Sequence, residues 1–65
     1  MNQLLGESKM EFEERKKFFD FLSSKKIKNK EKITKIYCNI KYRNCRYSAS
    51  MYHYIKRLEK EYSSN

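Results

Sequence analysis

Residues 47–61 read YSASMYHYIKRLEKE. Ser48, near the start of this stretch, is a favoured helix cap because its hydroxyl can accept a hydrogen bond from a free backbone amide. Apolar side chains then recur every three or four residues, which is the spacing of one helix face. We therefore predict a helix over about residues 49–62 whose inner stripe is Tyr52, Ile55, Leu58 and Tyr62. The other side chains are expected to face outward: Ala49, Ser50, His53, Tyr54, Lys56, Arg57 and Lys60.

A second amphipathic helix is predicted before this one, over about residues 30–41. Asn29 is a suitable residue to cap it. Its apolar positions keep the same helical spacing and are Ile33, Ile36, Tyr37 and Ile40. No apolar periodicity continues through residues 41–47, and Asn44 tolerates a left-handed backbone conformation. We therefore expect a turn between the two helices.

The first helix is predicted over about residues 9–23 and begins with a capping box. In this arrangement the Ser8 hydroxyl accepts from the Glu11 amide while the Glu11 carboxylate reaches back to the cap. The apolar stripe consists of Met10, Phe18, Phe21 and Leu22, with Phe12 and Phe19 beside it and Arg15, Lys16 and Lys17 pointing away. A short polar linker follows the helix.

The predicted fold is an all-α, compact three-helix domain that occupies residues 1–65. A chain of 65 residues buries too little surface for a second core, and no segment shows the alternation of a strand. The chain has no long apolar run and no secretory signal at its amino terminus, so we expect a cytoplasmic protein with no membrane partner.

The charge of the chain is +8 and is unevenly distributed. Residues 1–24 carry four Lys/Arg against five Asp/Glu, whereas residues 25–65 carry twelve against three. Basic surfaces of this density supply salt-sensitive affinity for nucleic acids by displacing counterions from phosphates. The alternative interpretation is a lysine-rich surface that only interacts with solvent.

The stretch 47–61 also resembles the recognition helix of bacterial helix-turn-helix regulators. In that family the second helix of the motif commonly begins with Ser-x-Ser and, in winged members, ends in a Leu-Glu-Lys type tail. Here these features are Ser48 to Ser50 and Leu58 to Lys60. The resemblance covers residues 30–62, and it implies a helix-turn-helix formed by the second and third helices that inserts the third into the major groove.

The chain departs from the family pattern in the turn. Cys38 stands where the family has a small residue, no Gly follows, and the turn is about four residues longer than in the simple motif. Either the turn is extended, as it is in some winged members, or the register differs. Too few residues follow Tyr62 for a two-stranded wing, so a wingless domain is expected.

The resemblance implies a small transcriptional regulator or accessory factor, of the type that phages and plasmids encode, which binds double-stranded DNA. Small or polar outward residues near the start of the third helix are the predicted base contacts: Ala49, Ser50, His53 and Tyr54. Cations in and around the turn and on the third helix are the predicted phosphate contacts: Lys41, Arg43, Arg46, Lys56 and Arg57. Each has a simpler interpretation as an ordinary surface residue.

An alternative function makes the first helix the binding element. Its Phe residues carry more aromatic surface than a core of this size needs, and an exposed aromatic patch marks an interface. The predicted contacts of a homodimer or of another protein partner are Phe12, Phe18, Phe19 and Phe21. In that case the protein is a helical binding module or inhibitor that docks on a host or regulatory protein. RNA binding is a further alternative.

The sequence shows little other chemistry. Cys38, Cys45 and His53 have a spacing that fits no common zinc site and provide only three ligands. The chain contains no Gly-rich phosphate loop and no carboxylate pair in apolar surroundings. We therefore expect free cysteines, no metal, no cofactor and no enzymatic activity.

Overall fold

A computed structural model describes residues 2–64 of the chain. It contains three helices, α1 (Lys9–Ser24), α2 (Lys30–Arg43) and α3 (Ala49–Ser64), and no strand among these residues. The predicted all-α class is confirmed. Each helix begins at the predicted residue and ends one or two residues later than predicted.

Serine side chains cap α1 and α3, as predicted. The Ser8 hydroxyl accepts from the Glu11 amide at 3.1 Å, and the Ser48 hydroxyl accepts from the Met51 amide at 3.3 Å. The second half of the predicted capping box is wrong. The Glu11 carboxylate does not return to the helix start, because it accepts a hydrogen bond from Arg43 of α2 at 2.5 Å.

An asparagine lies at each end of α2, and both asparagines have the left-handed backbone conformation. Asn44 ends the helix at φ 53°, and the amides of Asn44 and Cys45 both donate to the carbonyl of Asn39. The predicted turn at Asn44 is therefore confirmed. Asn29 lies at φ 59°, and its side chain makes no capping hydrogen bond. The predicted Asn29 cap is wrong, because a cap side chain reaches the first amides from extended backbone rather than from this conformation.

Aromatic rings from all three helices fill the core. The rings of Phe18 and Tyr37 stack with centroids 3.8 Å apart. Tyr62 of α3 packs against Phe18 and Phe21 in T-shaped arrangements. The other buried apolar residues are Leu22, Ile33, Ile36, Cys38, Ile55 and Leu58. Burial of the Tyr37 hydroxyl, which donates to Glu14 at 2.8 Å, raises the pKa of Tyr37.

The predicted stripe of α3 has one wrong member. Tyr52 is 43% exposed, whereas Met51 and Tyr54 are half-buried and pack against the core. The reason is angular, since successive helix residues are about 100° apart. Met51, Leu58 and Tyr62 all lie to the side of Ile55 that also holds Tyr54, and Tyr52 lies on the other side.

The predicted stripe of α1 also contains an error. Met10 is 74% exposed, whereas Glu11 is buried. Glu11 precedes Phe18 by seven residues, which places it on the buried stripe. Because Glu11 pairs with Arg43, its carboxylate is tolerated there.

The ion pairs fix the relative direction of the helices. Glu11 and Glu14, near the start of α1, pair with Arg43 and Lys41 near the end of α2, so α1 and α2 run antiparallel. Lys25, which follows α1, pairs with Glu61 near the end of α3 at 2.9 Å. The α2–α3 turn and the α1–α2 connection therefore lie at opposite ends of α3.

The amino-terminal segment folds back on α1 through Glu7. Gly6 has φ 80°, a left-handed conformation that favours glycine, and the turn it forms buries the Glu7 side chain. Arg15 donates to both Glu7 carboxylate oxygens, at 2.7 and 3.1 Å. The prediction that Arg15 points away from the fold is therefore wrong.

Candidate nucleic-acid interface

Residues 32–58 contain seven Lys/Arg and no Asp or Glu. This stretch includes most of α2, the α2–α3 turn and the first ten residues of α3. An anionic partner therefore meets no acidic side chain of this stretch. Carboxylates elsewhere in the fold form ion pairs with some of its cations, so only part of its positive charge is free.

The start of α3 presents a polar surface that the core holds in place. Ile55 and Leu58 are 1% and 5% exposed, so one side of the helix is anchored. We call the opposite side of residues 49–57 the α3 outer face, and its exposed members are Ala49, Ser50, Tyr52, His53, Lys56 and Arg57. Residues 49–57 contain no carboxylate, and Glu59, the next one along the helix, contacts Lys56 at 3.3 Å. The face combines small residues, which permit close approach, with donors for hydrogen bonds.

Three of the four predicted base contacts lie on this face. Ala49, Ser50 and His53 are exposed, and they occupy the first two turns of α3. Tyr54 does not fit the prediction that it projects outward, because it is half-buried against the core.

Tyr52, which the sequence predicts on the inner stripe, is exposed instead. Its ring centroid lies 6.0 Å from that of His53 in an edge arrangement, and the Lys56 Nζ lies 5.5 Å from the Tyr52 ring. The sequence signal for this difference is the helical angle, since Tyr52 lies about 120° around α3 from the buried Leu58. Residue type gives no such signal, because positions 52 and 54 both hold tyrosine.

The predicted phosphate contacts divide into free and paired cations. Arg46 and Arg57 are exposed, and no described carboxylate lies within ion-pair distance of either. Lys41 pairs with Glu14 at 3.4 Å, Arg43 with Glu11, and Lys56 with Glu59 at 3.3 Å. The hydrogen bond to Glu11 raises the pKa of Arg43. Arg43 therefore links α2 to α1 and is not the free cation that its prediction as a phosphate contact required.

A second group of free cations was missed as a site. Residues 25–35, which we call the lysine segment, contain six Lys and one Glu. Of these, Lys26, Lys28, Lys32 and Lys35 are exposed, and the part of the chain described here brings no carboxylate within ion-pair distance of them. The sequence showed the lysines, but their freedom depends on where the folded chain places its carboxylates.

Two of the four predicted partner contacts on α1 are wrong. Phe18 is 0% exposed and Phe21 is 8% exposed, so neither ring is available to another protein. Phe12 and Phe19 are half-buried, and cations cover their rings: the Lys16 Nζ lies 4.7 Å from the Phe12 centroid and the Lys30 Nζ lies 5.3 Å from the Phe19 centroid. Phe18 and Phe21 therefore belong to the three-helix core.

The two cysteines lie in different environments. Cys38 is buried, and loss of hydration raises the pKa of its thiol to about 11, whereas Cys45 is exposed in the turn. Both are free thiols. Within residues 2–64 no three His, Cys, Asp or Glu side chains form a group that could hold a metal ion.

Comparison of the chain with protein-family models, curated proteins and solved structures found no match. None of the helices among residues 2–64 has the length and apolar composition of a membrane span.

Proposed function

We propose that the protein binds double-stranded DNA by placing the α3 outer face in the major groove, as a small regulator or accessory factor of the helix-turn-helix type. The observation that carries this proposal is the combination of an anchored helix and an outer face without carboxylates. A groove-reading helix needs both, since the core must fix its orientation and its exposed side must approach phosphates without repulsion.

The roles within the face follow from side-chain size and chemistry. Ala49 and Ser50 leave room for the start of α3 to approach base edges closely. The imidazole of His53 and the hydroxyl of Tyr52 are donors or acceptors for base edges, and their rings offer apolar contact to thymine methyl groups. Sequence preference is therefore expected to depend on these four residues.

Arg46 and Arg57 are the proposed phosphate contacts around this face. One precedes α3 in the turn and the other lies two turns into the helix, so they flank the proposed base contacts. A guanidinium donates several hydrogen bonds in a planar arrangement that suits phosphate oxygens. Because single modules bury little surface, we propose that the protein binds paired half-sites as a homodimer.

The proposal is tested by selecting preferred duplexes from a random library and then measuring variants. His53→Ala should reduce discrimination at one or two base positions by about 1–3 kcal/mol. Arg57→Ala should weaken binding to preferred and scrambled duplexes alike. The matched control is Lys17→Ala, which removes an exposed cation from α1.

Lack of duplex binding by the unmodified protein at low salt would contradict the proposal. So would variants on the α3 outer face that behave like the Lys17→Ala control. Binding to single-stranded or structured RNA in preference to duplex DNA would replace DNA with RNA as the target.

A further inference from the structure

We infer that the lysine segment forms a second phosphate-binding surface, separate from the α3 outer face, and that it supplies most of the sequence-independent affinity for the nucleic acid. This inference rests on the proposed function for the identity of the polyanion. It assigns affinity and sequence preference to different parts of the molecule.

The pairing state of the cations favours the lysine segment as a phosphate-binding surface. A cation with no carboxylate nearby gains more from a phosphate than one that must first give up an ion pair. Around α3, ion pairs engage Lys41, Arg43 and Lys56, whereas Arg46, Arg57 and Lys60 are exposed and pair with no described carboxylate. The lysine segment provides four such lysines, all between residues 26 and 35.

The position of the lysine segment in the fold also distinguishes it from the α3 outer face. Lys25 contacts Glu61, so the start of the lysine segment lies beside the carboxyl-terminal end of α3. At about 1.5 Å per residue, Glu61 lies about 12 Å along α3 from His53 and about 18 Å from Ala49. The lysine segment therefore begins near the end of α3 that lies away from the proposed base contacts.

The lysines of the segment also lie close to each other. Lys32 and Lys35 are one turn apart on α2, and Lys28 precedes that helix by two residues. These three can follow a phosphate backbone without any rearrangement of the core, because none of them takes part in it. A surface of this kind fits an extended polyanion and carries no means of reading bases.

The test compares two double variants in DNA titrations over a range of salt concentrations. The first is Lys32→Gln, Lys35→Gln. The control is Lys9→Gln, Lys17→Gln on α1, which removes the same net charge from exposed lysines that pair with no described carboxylate. Thermal unfolding confirms that both variants fold.

We expect the first variant to lower the slope of log affinity against log salt by about 2 units, equally for preferred and scrambled duplexes. The control should lose less than half as much. Equal losses in the two variants would overturn the inference, because net charge rather than the lysine segment would then set the affinity.

A parallel measurement uses vesicles of equimolar phosphatidylcholine and phosphatidylserine. If the first variant loses vesicle binding and keeps its full DNA salt dependence, the lysine segment serves an anionic lipid surface and the inference is wrong. If the unmodified protein binds no duplex, the proposed function fails and this inference fails with it. If the slope falls as expected while variants of the α3 outer face keep the full sequence preference, only the proposed role of α3 fails.

Discussion

Both ends of α2 carry cations, but only the cations at the carboxyl-terminal end form ion pairs with α1. At the carboxyl-terminal end, Lys41 and Arg43 contact Glu14 and Glu11 of α1. At the amino-terminal end, Lys32 and Lys35 are exposed, and no carboxylate of residues 2–64 lies within ion-pair distance. The antiparallel packing of α1 and α2 produces this difference, because it brings the acidic start of α1 to only one end of α2.

Net charge and the location of unpaired charge are therefore separate properties of the molecule. The chain carries +8, yet part of its positive charge ties helices together and is unavailable to a partner. The positive charge available to a polyanion is concentrated at the lysine segment and around the α3 outer face. Substitutions in the core should therefore change stability, whereas substitutions of free and of paired cations should differ in their effect on the salt dependence of DNA binding.

The largest expected effect is the loss of the anchor beneath α3. Ile55→Ala should lower the free energy of unfolding by about 2–5 kcal/mol, because the truncation leaves a cavity at a residue that is 1% exposed. Thermal and denaturant unfolding measure this change. His53→Ala is the matched control on the same helix, and it should leave stability nearly unchanged. A larger loss for His53→Ala than for Ile55→Ala would show that the register of α3 is wrong.

The next effect concerns the buried carboxylate that joins the amino-terminal segment to α1. Glu7→Gln should cost about 1–3 kcal/mol of stability, since Arg15 loses the charged partner that accepts two of its hydrogen bonds. Glu13→Gln, at a half-exposed position, is the control. Equal stability of the two variants would show that the Glu7 contacts contribute nothing.

The same pair predicts how stability depends on pH. The hydrogen bonds from Arg15 hold the pKa of Glu7 below its ordinary value of 4.5. A lowered pKa in the folded state means that the unfolded state binds the proton first on acidification. The stabilisation is therefore present at neutral pH and is lost as the pH falls below 4.5 through the folded-state pKa. Glu7→Gln should reduce this acid dependence in denaturant titrations, and an unchanged acid dependence would contradict the assignment.

The smallest expected effect compares single cations at the two ends of α2. Lys32→Gln should lower the salt slope of DNA binding by about one unit, as the loss of one phosphate contact does. Arg43→Gln should leave the slope nearly unchanged, because Glu11 already engages that guanidinium. Titrations of both variants at several salt concentrations measure the contrast. A larger slope change for Arg43→Gln would show that the ion pair opens to bind phosphate.

Much of the fold could be predicted because it depends on local signals. Ser8, Ser48 and Asn44 mark helix boundaries through hydrogen bonds and backbone preferences within a few residues, and these predictions are confirmed. The register of α3 was harder, because Tyr52 and Tyr54 have the same side chain and only the angle to the core separates them. Large aromatic residues also fit both a core and a partly exposed helix face.

The candidate site was less predictable because it depends on long-range pairing. Arg43 and Glu11 are 32 residues apart, and neither residue type nor spacing indicates that they meet. The helical spacing places Phe18 and Phe21 on the apolar stripe of α1, but only the packing of the helices shows that Tyr62 of α3 covers them. Which cations and which rings remain available therefore followed only from the packing of the helices.

An NMR titration of the labelled protein with its selected duplex locates both proposed surfaces at once. We expect changes in backbone amide chemical shift confined to residues 26–35 and 46–57, with residues 9–17 of α1 unaffected. Raising the salt concentration should diminish the shifts in both affected ranges, because phosphate contacts are released as counterions return. Shifts centred on α1, or no shifts in either predicted range at saturating duplex, would contradict this assignment of the two surfaces.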